Sequence, residues 1–71
     1  MTVTVTPMGI KQIEVECAMD KNDVLRVEDF VEGTCFMKIF EADEISMIEV
    51  RREDMLAFIK AIEPWAKGEV G

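Results

Sequence analysis

The chain has 71 residues, a formal net charge of −7 and a hydrophobic content of 49%. This length predicts a single domain over residues 1–71, and the hydrophobic content is too high for a disordered tail. The negative charge disfavours direct binding to nucleic-acid phosphates or to anionic membranes, because both attract Lys and Arg. It favours instead a protein partner with a basic surface.

The sequence offers little for metal, redox or cofactor chemistry. It has two cysteines, Cys17 and Cys35, without CxxC spacing, and it has no histidine. We therefore expect two reduced thiols, with a disulfide or a metal role as lesser alternatives, and we expect no cofactor. The sequence shows no signal-peptide pattern and no apolar run of about 18 residues that could span a membrane. A cytoplasmic protein is the default expectation.

The first residues alternate between Thr and Val. Residues Thr2–Thr6 therefore suit a strand or an extended arm, which Pro7 ends. The sequence does not indicate whether this segment pairs with another strand, and residues 1–9 are interpreted as an extended N-terminal arm.

A regular alternation follows from Ile10 to Met19. The apolar positions are Ile13, Val15, Cys17 and Met19, and the positions on the opposite face are Glu14, Glu16 and Ala18. This pattern predicts a half-buried strand with an acidic outer row. The composition of residues 20–23 predicts a turn after it.

Residues Val24–Val31 allow two interpretations. As a strand, the segment would place on one face Leu25, Val27, Asp29 and Val31. As an amphipathic helix, it would extend from Asn22 to Glu32. The short length and the β-branched residues favour the strand. A tight hairpin turn at Glu32 and Gly33 would then follow, with Gly33 at a positive φ.

Two further strands are predicted on either side of an acidic turn at residues 41–44. Thr34–Phe40 is apolar on both faces apart from Lys38, which predicts an internal strand of the sheet. Ile45–Arg51 is the last strand. Its apolar positions change face near Met47 and Ile48, which a β-bulge would explain.

The helix is predicted over Arg52–Ile62, directly after the last strand. Its apolar stripe consists of Met55, Phe58, Ile59 and Ile62, with Leu56 at the edge. This spacing is typical of a helix that buries one side. Pro64 is expected to end or kink the helix, and Lys67 and Gly68 are candidates for a final cap.

These elements predict an α+β fold, a small antiparallel β-meander of about four strands with one C-terminal helix packed on a face. A helix covers about 10 Å of width, whereas four strands span roughly 14–19 Å. Apolar sheet surface should therefore remain exposed, including Phe36 or Phe40. A second copy of the chain, bound across a two-fold axis, would cover it, so we expect a homodimer.

Catalysis is not expected. The sequence has no histidine or tyrosine, and both cysteines lie in apolar strand patterns, where thiols are usually unreactive. Acidic pairs are frequent, but each would need a pocket that shifts its pKa. Residues 20–23 lack the spacing of a calcium-binding loop. No catalytic, cofactor-binding or metal-binding residue is therefore assigned.

The acidic residues form rows and clusters along the chain. Carboxylates two strand residues apart are separated by roughly 7 Å, which is similar to the phosphate spacing of a nucleic-acid strand. In size and charge the chain resembles small acidic inhibitors from phages, including some anti-CRISPR proteins. That resemblance implies a non-enzymatic nucleic-acid mimic that inhibits a basic, nucleic-acid-handling protein. Solubility is the simpler explanation of the acidic surface.

The candidate partner contacts are acidic residues of these clusters and one Trp, a residue type enriched at binding hot spots. They are Glu14, Glu16, Glu28, Asp29, Glu41, Asp43, Glu44 and Trp65. The alternative function is a homo-oligomeric structural or accessory subunit that assembles through its apolar sheet face.

Overall fold

The computed structural model describes residues 1–70, which form five strands and one helix. The strands are β1 (Thr2–Thr6), β2 (Gly9–Glu16), β3 (Val24–Val31), β4 (Thr34–Phe40) and β5 (Ile45–Arg51), and the helix is α1 (Arg52–Ala66). The strands pair antiparallel in the order β1-β2-β3-β4-β5, so the sheet is a simple meander. The predicted α+β meander with a C-terminal helix is confirmed. The predicted number of about four strands is wrong, because the N-terminal segment adds a fifth.

The N-terminal segment forms the edge strand β1, which pairs with β2. The turn between them is held by Thr6, whose Oγ1 accepts a hydrogen bond from the backbone N–H of Met8 (3.2 Å) and donates one to the carbonyl of Gly9 (3.3 Å). A bulge interrupts the pairing between Thr4 and Val5. These hydrogen bonds of the Thr6 side chain stabilise the turn of a β1–β2 hairpin. The alternation of Thr and Val did not indicate that this segment pairs with another strand.

Strand β2 ends at Glu16, earlier than the predicted end at Met19. The predicted turn at residues 20–23 is confirmed. In that turn Asp20 accepts hydrogen bonds from Asp23 N–H at its carbonyl (3.0 Å) and from Asn22 N–H at its side chain (3.0 Å). Because the turn also pairs Cys17 N–H with the carbonyl of Asp23 (2.9 Å), Cys17 belongs to the loop rather than to the strand.

Residues Val24–Val31 form the predicted strand and not the alternative helix. A bulge shifts the pairing of β3 with β4 between Glu28 and Val31. Asp29 within it has a φ of +57°, which a short polar side chain tolerates better than an apolar one. The turn that follows is confirmed, with Gly33 at a φ of +93°. The bulge explains why neither face of this strand looked purely apolar in the sequence.

Strands β4 and β5 have the predicted bounds and pair regularly from Thr34 opposite Arg51 to Phe40 opposite Ile45. The bulge predicted near Met47 and Ile48 is therefore wrong. Strand β5 carries apolar residues on both faces, and both have apolar neighbours on β4: Ile48 lies opposite Met37, and Ile45 lies opposite Phe40.

Helix α1 begins directly after β5. Arg51 is still extended (φ −70°, ψ 150°), and the N–H of Arg52 donates to the carbonyl of Gly33 (2.8 Å). The helix continues through Pro64 to Ala66, so the predicted end at Ile62 is wrong. Pro64 removes one hydrogen bond of the ladder without ending the helix.

The predicted cap after the helix is confirmed. Gly68 has a φ of +77° and donates its N–H to the carbonyl of Trp65 (3.0 Å), while Glu69 N–H donates to the carbonyl of Pro64 (2.9 Å). This pair of bonds is a Schellman motif, which satisfies the last carbonyl groups of the helix.

The fold leaves most side chains exposed. Helix α1 contacts the sheet mainly through the edge strand β5 instead of covering a face. Among residues 1–70, Cys35 is the one buried residue, at 4% exposure. The surface area is 5931 Å² and the radius of gyration is 13.4 Å, against about 4,500 Å² and about 11 Å for a compact monomer of this size. The chain is therefore much more open than a self-sufficient domain.

Candidate functional site

The pairing register divides the sheet into two chemically different faces. The apolar face, as we call it, consists of Val3, Val5, Ile10, Ile13, Val15, Leu25, Val27, Cys35, Met37, Ile39, Ser46, Ile48 and Val50. Ser46 is its one polar member. Apart from Cys35, its side chains are half-buried or exposed, and Ile48 is 63% exposed. This is a continuous apolar surface across all five strands, far larger than scattered surface residues would give.

The charged face lies on the other side of the sheet. Its members are Thr2, Thr4, Gln12, Glu14, Glu16, Val24, Arg26, Glu28, Thr34, Phe36, Lys38, Phe40, Ile45, Met47, Glu49 and Arg51. Its polar side chains pair with one another; for example, Thr34 donates to the carboxylate of Glu49 (3.0 Å). The charges in the middle of the charged face therefore find partners within the face itself, while its apolar members Ile45 and Met47 are 66% and 57% exposed.

A chain of alternating charges crosses the middle of the charged face. The guanidinium of Arg26 lies 3.8 Å from Glu14 and 3.5 Å from Glu28, and the Nζ of Lys38 lies 3.3 Å from Glu28 and 3.2 Å from Asp29. The hydrogen bond to Asp29, with a smaller contribution from Glu28, raises the pKa of Lys38 above its ordinary value. The bulge in β3 places Asp29 within reach of Lys38, on the charged face.

The two cations of this network also cover aromatic rings. The guanidinium carbon of Arg26 lies 4.4 Å from the centre of the Phe40 ring, and the Nζ of Lys38 lies 5.9 Å from the centre of the Phe36 ring. Both distances fall within the range of cation–π interactions. Phe36 and Phe40 therefore lie on the charged face. The sequence predicted that one of them belongs to the uncovered apolar surface, but that surface is the opposite face of the sheet.

The predicted contact residues fall into separate groups in the structure. Glu14, Glu28 and Asp29 are paired within the charge network. Trp65 is exposed in the last turn of α1. The structure does not unite these residues into one surface with the remaining acids.

The remaining predicted contacts lie at one end of the sheet. The acidic end, as we call it, consists of Asp20, Asp23, Glu41, Asp43 and Glu44. These residues surround an open depression of about 440 Å³ between the β2–β3 and β4–β5 loops. Glu16 lies beside it, where the apolar face ends in a shallow dent of about 270 Å³ formed with Val15, Leu25 and Ile39. Helix α1 begins at the opposite end of the sheet.

The titratable side chains of residues 1–70 can be compared with the requirements of a metal site and with those of a reactive thiol. No cluster of three or more His, Cys, Asp or Glu side chains in that range is placed to hold a metal ion. Both cysteines are free thiols; Cys17 is exposed, whereas burial raises the pKa of Cys35 above its ordinary value. A buried thiol with a raised pKa has a low thiolate fraction and is a poor nucleophile.

A second apolar surface runs along α1. The helix stripe, as we call it, consists of Met55, Leu56, Phe58, Ile59 and Ile62. Its last four members are 41–54% exposed. Met55, Leu56 and Ile59 form one wall of an open cleft of about 660 Å³, whose other wall includes Ile10 and Cys35 of the apolar face. The helix stripe and the apolar face thus open onto a common space.

The sequence predicted an apolar sheet face as an alternative assembly surface, but it placed Phe36 or Phe40 there and assigned none of the residues of the apolar face as contacts. The signal of the apolar face was present in the alternation of Ile13 with Val15 and of Leu25 with Val27. The bulge at Asp29 and the apolar residues on both sides of β5 obscured that signal farther along the chain.

In residues 1–70, no helix has the length and apolar character needed to cross a membrane. The chain matches no protein-family model, no curated protein and no solved structure.

Proposed function

We propose that the chain is a non-enzymatic assembly subunit, structural or accessory in role, that forms homodimers through its apolar face. The observation that carries this proposal is the exposure of a whole sheet face of apolar side chains in a chain that buries Cys35 alone among residues 1–70. A five-stranded sheet needs a second layer on its apolar side to be stable in water.

The exposed area supports an interface of ordinary size. The surface of 5931 Å² exceeds that of a compact monomer by about 1,400 Å². A standard protein–protein interface removes about 800 Å² from each partner, and permanent ones remove more. One symmetric interface would therefore return the chain to the exposure expected of a folded protein.

Two neighbouring residues of β5 provide a matched test. Ile48 lies on the apolar face and Met47 on the charged face, and they are 63% and 57% exposed. Ile48→Glu should dissociate the dimer, because an unpaired charge in a buried interface costs roughly 3–5 kcal/mol. That cost raises the dimer Kd by about a hundredfold or more. Met47→Glu adds the same charge to the same strand and should leave the dimer intact.

Sedimentation equilibrium at several protein concentrations measures both variants. The unmodified chain and Met47→Glu should have twice the chain mass of 8.1 kDa. Ile48→Glu should approach the mass of one chain. A monomeric unmodified chain, or equal dissociation of the two variants, would contradict the proposal.

A second candidate function is binding of a basic protein, with inhibition of a nucleic-acid-handling protein as its sharpest form. The acidic end favours it, because Glu41, Asp43 and Glu44 lie beside Asp20 and Asp23 around one depression. Like charges held this close create a local negative potential that attracts a basic surface. This end lies away from the start of α1, so dimerisation through the apolar face would not require its burial.

Charge reversal separates this function from general acidity. Asp43→Lys with Glu44→Lys removes part of the acidic end, and Glu53→Lys with Asp54→Lys makes the same change of net charge on α1. The assay is capture from nuclease-treated lysate of the source cell, followed by elution in a salt gradient. The first variant should lose a partner that elutes at moderate salt and the second should retain it. Equal retention by both variants would reject the acidic end as the binding site.

A further inference from the structure

The helix stripe and the apolar face are complementary surfaces that one chain does not bring together. Phe58, Ile59 and Ile62 remain 54%, 48% and 41% exposed, although Ile59 borders the cleft that the helix shares with the apolar face. The cleft of about 660 Å³ between Leu56 and Ile10 remains open. Each surface has the apolar composition of a side that packs against another element in a protein core.

The connection between β5 and α1 explains why the helix does not cover its own sheet. Arg51 is the last residue of β5 and Arg52 is the first of α1, so no loop allows the chain to turn back across the sheet. The bond from Arg52 N–H to the carbonyl of Gly33 (2.8 Å) ties the start of the helix to the β3–β4 turn. The helix is thereby fixed at the edge strand β5.

The dimensions of the sheet indicate what is missing. Five strands span about 19 Å between the outer strand axes, and one helix covers about 10 Å. Two helices are therefore needed to form the second layer, and each chain contributes one. A helix of 15 residues is about 22 Å long, which is long enough to cross the exposed strands.

We propose that a second copy of the chain supplies the missing helix: in a two-fold dimer, α1 of each copy packs its helix stripe on the apolar face of the other. This inference rests on the proposed function and specifies the contact that forms the dimer. The interface is isologous, so each apolar face receives the partner's helix beside its own, and the two equivalent contacts form together.

Charge and space favour a helix over a second sheet as the occupant. Helix α1 carries three acidic and two basic residues, Glu53, Asp54, Glu63, Arg52 and Lys60, so it contributes little to the net charge of −7. The helix of the same chain already forms one wall of the cleft beside Cys35. A partner sheet stacked about 10 Å away would meet that helix, whereas a second helix fits the same layer.

Cross-linking between chains tests the arrangement. In a Cys17→Ser background, one sample carries Ile59→Cys in the helix stripe and the other carries Ile13→Cys on the apolar face. The two samples are mixed, allowed to exchange and oxidised, and the disulfides are identified by mass spectrometry. Since each chain has one engineered thiol, a link between positions 59 and 13 forms only between chains.

Two controls make the result specific. Lys60→Cys mixed with Gln12→Cys moves each thiol to the neighbouring residue, on the opposite side of the helix and of the sheet. Because a disulfide requires Cα atoms within about 7 Å, the first pair should link in roughly tenfold or greater excess over the second. Ile62→Cys with Val15→Cys provides a second helix-to-sheet pair in case one variant does not fold.

The outcomes separate this inference from the proposed function. A dimer with helix-to-sheet links supports both. In a second outcome, a dimer forms in which Ile13→Cys links only to itself or in which neither pair gives helix-to-sheet links. Either result contradicts the helix-to-sheet contact but is consistent with dimerisation through the apolar face. A monomer by sedimentation overturns both.

Discussion

The two faces of this sheet have the same backbone and the same edges, but they accommodate their side chains in opposite ways. On the charged face, Arg26 and Lys38 neutralise neighbouring carboxylates and cover Phe40 and Phe36. The apolar face has no comparable internal cover, and Ile48 is 63% exposed. The charged face satisfies its central charges within itself, whereas the apolar face has no second layer over most of its width.

The difference shows that the long side chains of Arg and Lys can take the place of a second layer over a sheet. Arg and Lys lay their apolar stems on a sheet while their charged groups stay near water. The alternation of acids and bases from Glu14 to Asp29 then satisfies each charge on the surface itself. The apolar face, which has no such residues, can be covered only by apolar atoms from elsewhere.

The largest expected effect comes from truncating a methionine on each face. Met37 lies on the apolar face opposite Val27 and Ile48, and Met47 lies on the charged face opposite Lys38. If the apolar face is buried in a dimer, Met37→Ala should lower the free energy of unfolding by about 2–5 kcal/mol. Met47→Ala should cost about 1 kcal/mol or less, because its surroundings stay open to water.

Urea unfolding at two protein concentrations measures these changes. The midpoint should rise with protein concentration, because dissociation accompanies the unfolding of a dimer. Equal losses for Met37→Ala and Met47→Ala, with a midpoint independent of concentration, would show that the two faces are equally exposed and would remove the basis of the comparison.

The same comparison defines what the sequence could predict. Strands β4 and β5 have their predicted bounds because their apolar and β-branched residues are continuous and acidic or Gly-containing turns separate them. The sequence also placed the helix directly after β5. These are local properties, and local patterns were sufficient for them.

The remaining features depend on pairing between distant residues. Glu14, Glu28 and Asp29 looked like free acids in the sequence, but the register places Arg26 opposite both Glu14 and Lys38. The bulge at Asp29 and the edge position of α1 are likewise consequences of tertiary structure. Composition therefore predicted an acidic protein but not which of its acids remain available to a partner.

The charge network gives the next largest effect. Arg26→Ala removes the ion pairs with Glu14 and Glu28 and the contact with Phe40, and should lower the free energy of unfolding by about 1 kcal/mol. The loss should shrink at high salt, which screens the ion pairs in the unmodified chain. The mass of the proposed dimer should not change, because the charged face lies outside the proposed interface.

Arg26→Met is the matched control for that change. Met keeps the apolar stem over Phe40 and removes the charge, so it should recover part of the loss. It also removes Nε of Arg26, which is buried without a hydrogen-bond partner among residues 1–70. A change of dimer mass in either variant would show that the charged face takes part in assembly.

The smallest expected effect is a difference in thiol reactivity. Cys35 lies on the apolar face and borders the open cleft, whereas Cys17 is exposed in the β2–β3 loop. Burial raises the pKa of Cys35, so its thiolate fraction near pH 8 is lower than that of an ordinary cysteine. A thiol reagent should label Cys35 roughly tenfold or more slowly, with a rate that rises at alkaline pH.

Dissociation should change the reactivity of one thiol only. If the proposed dimer forms, Ile48→Glu removes the partner helix and opens the cleft beside Cys35, so labelling of Cys35 should accelerate while that of Cys17 stays constant. Met47→Glu should alter neither rate. If Cys35 reacts equally fast in the unmodified chain and in Ile48→Glu, the cleft is not covered in the assembly, and the apolar face must find its partner farther from the helix.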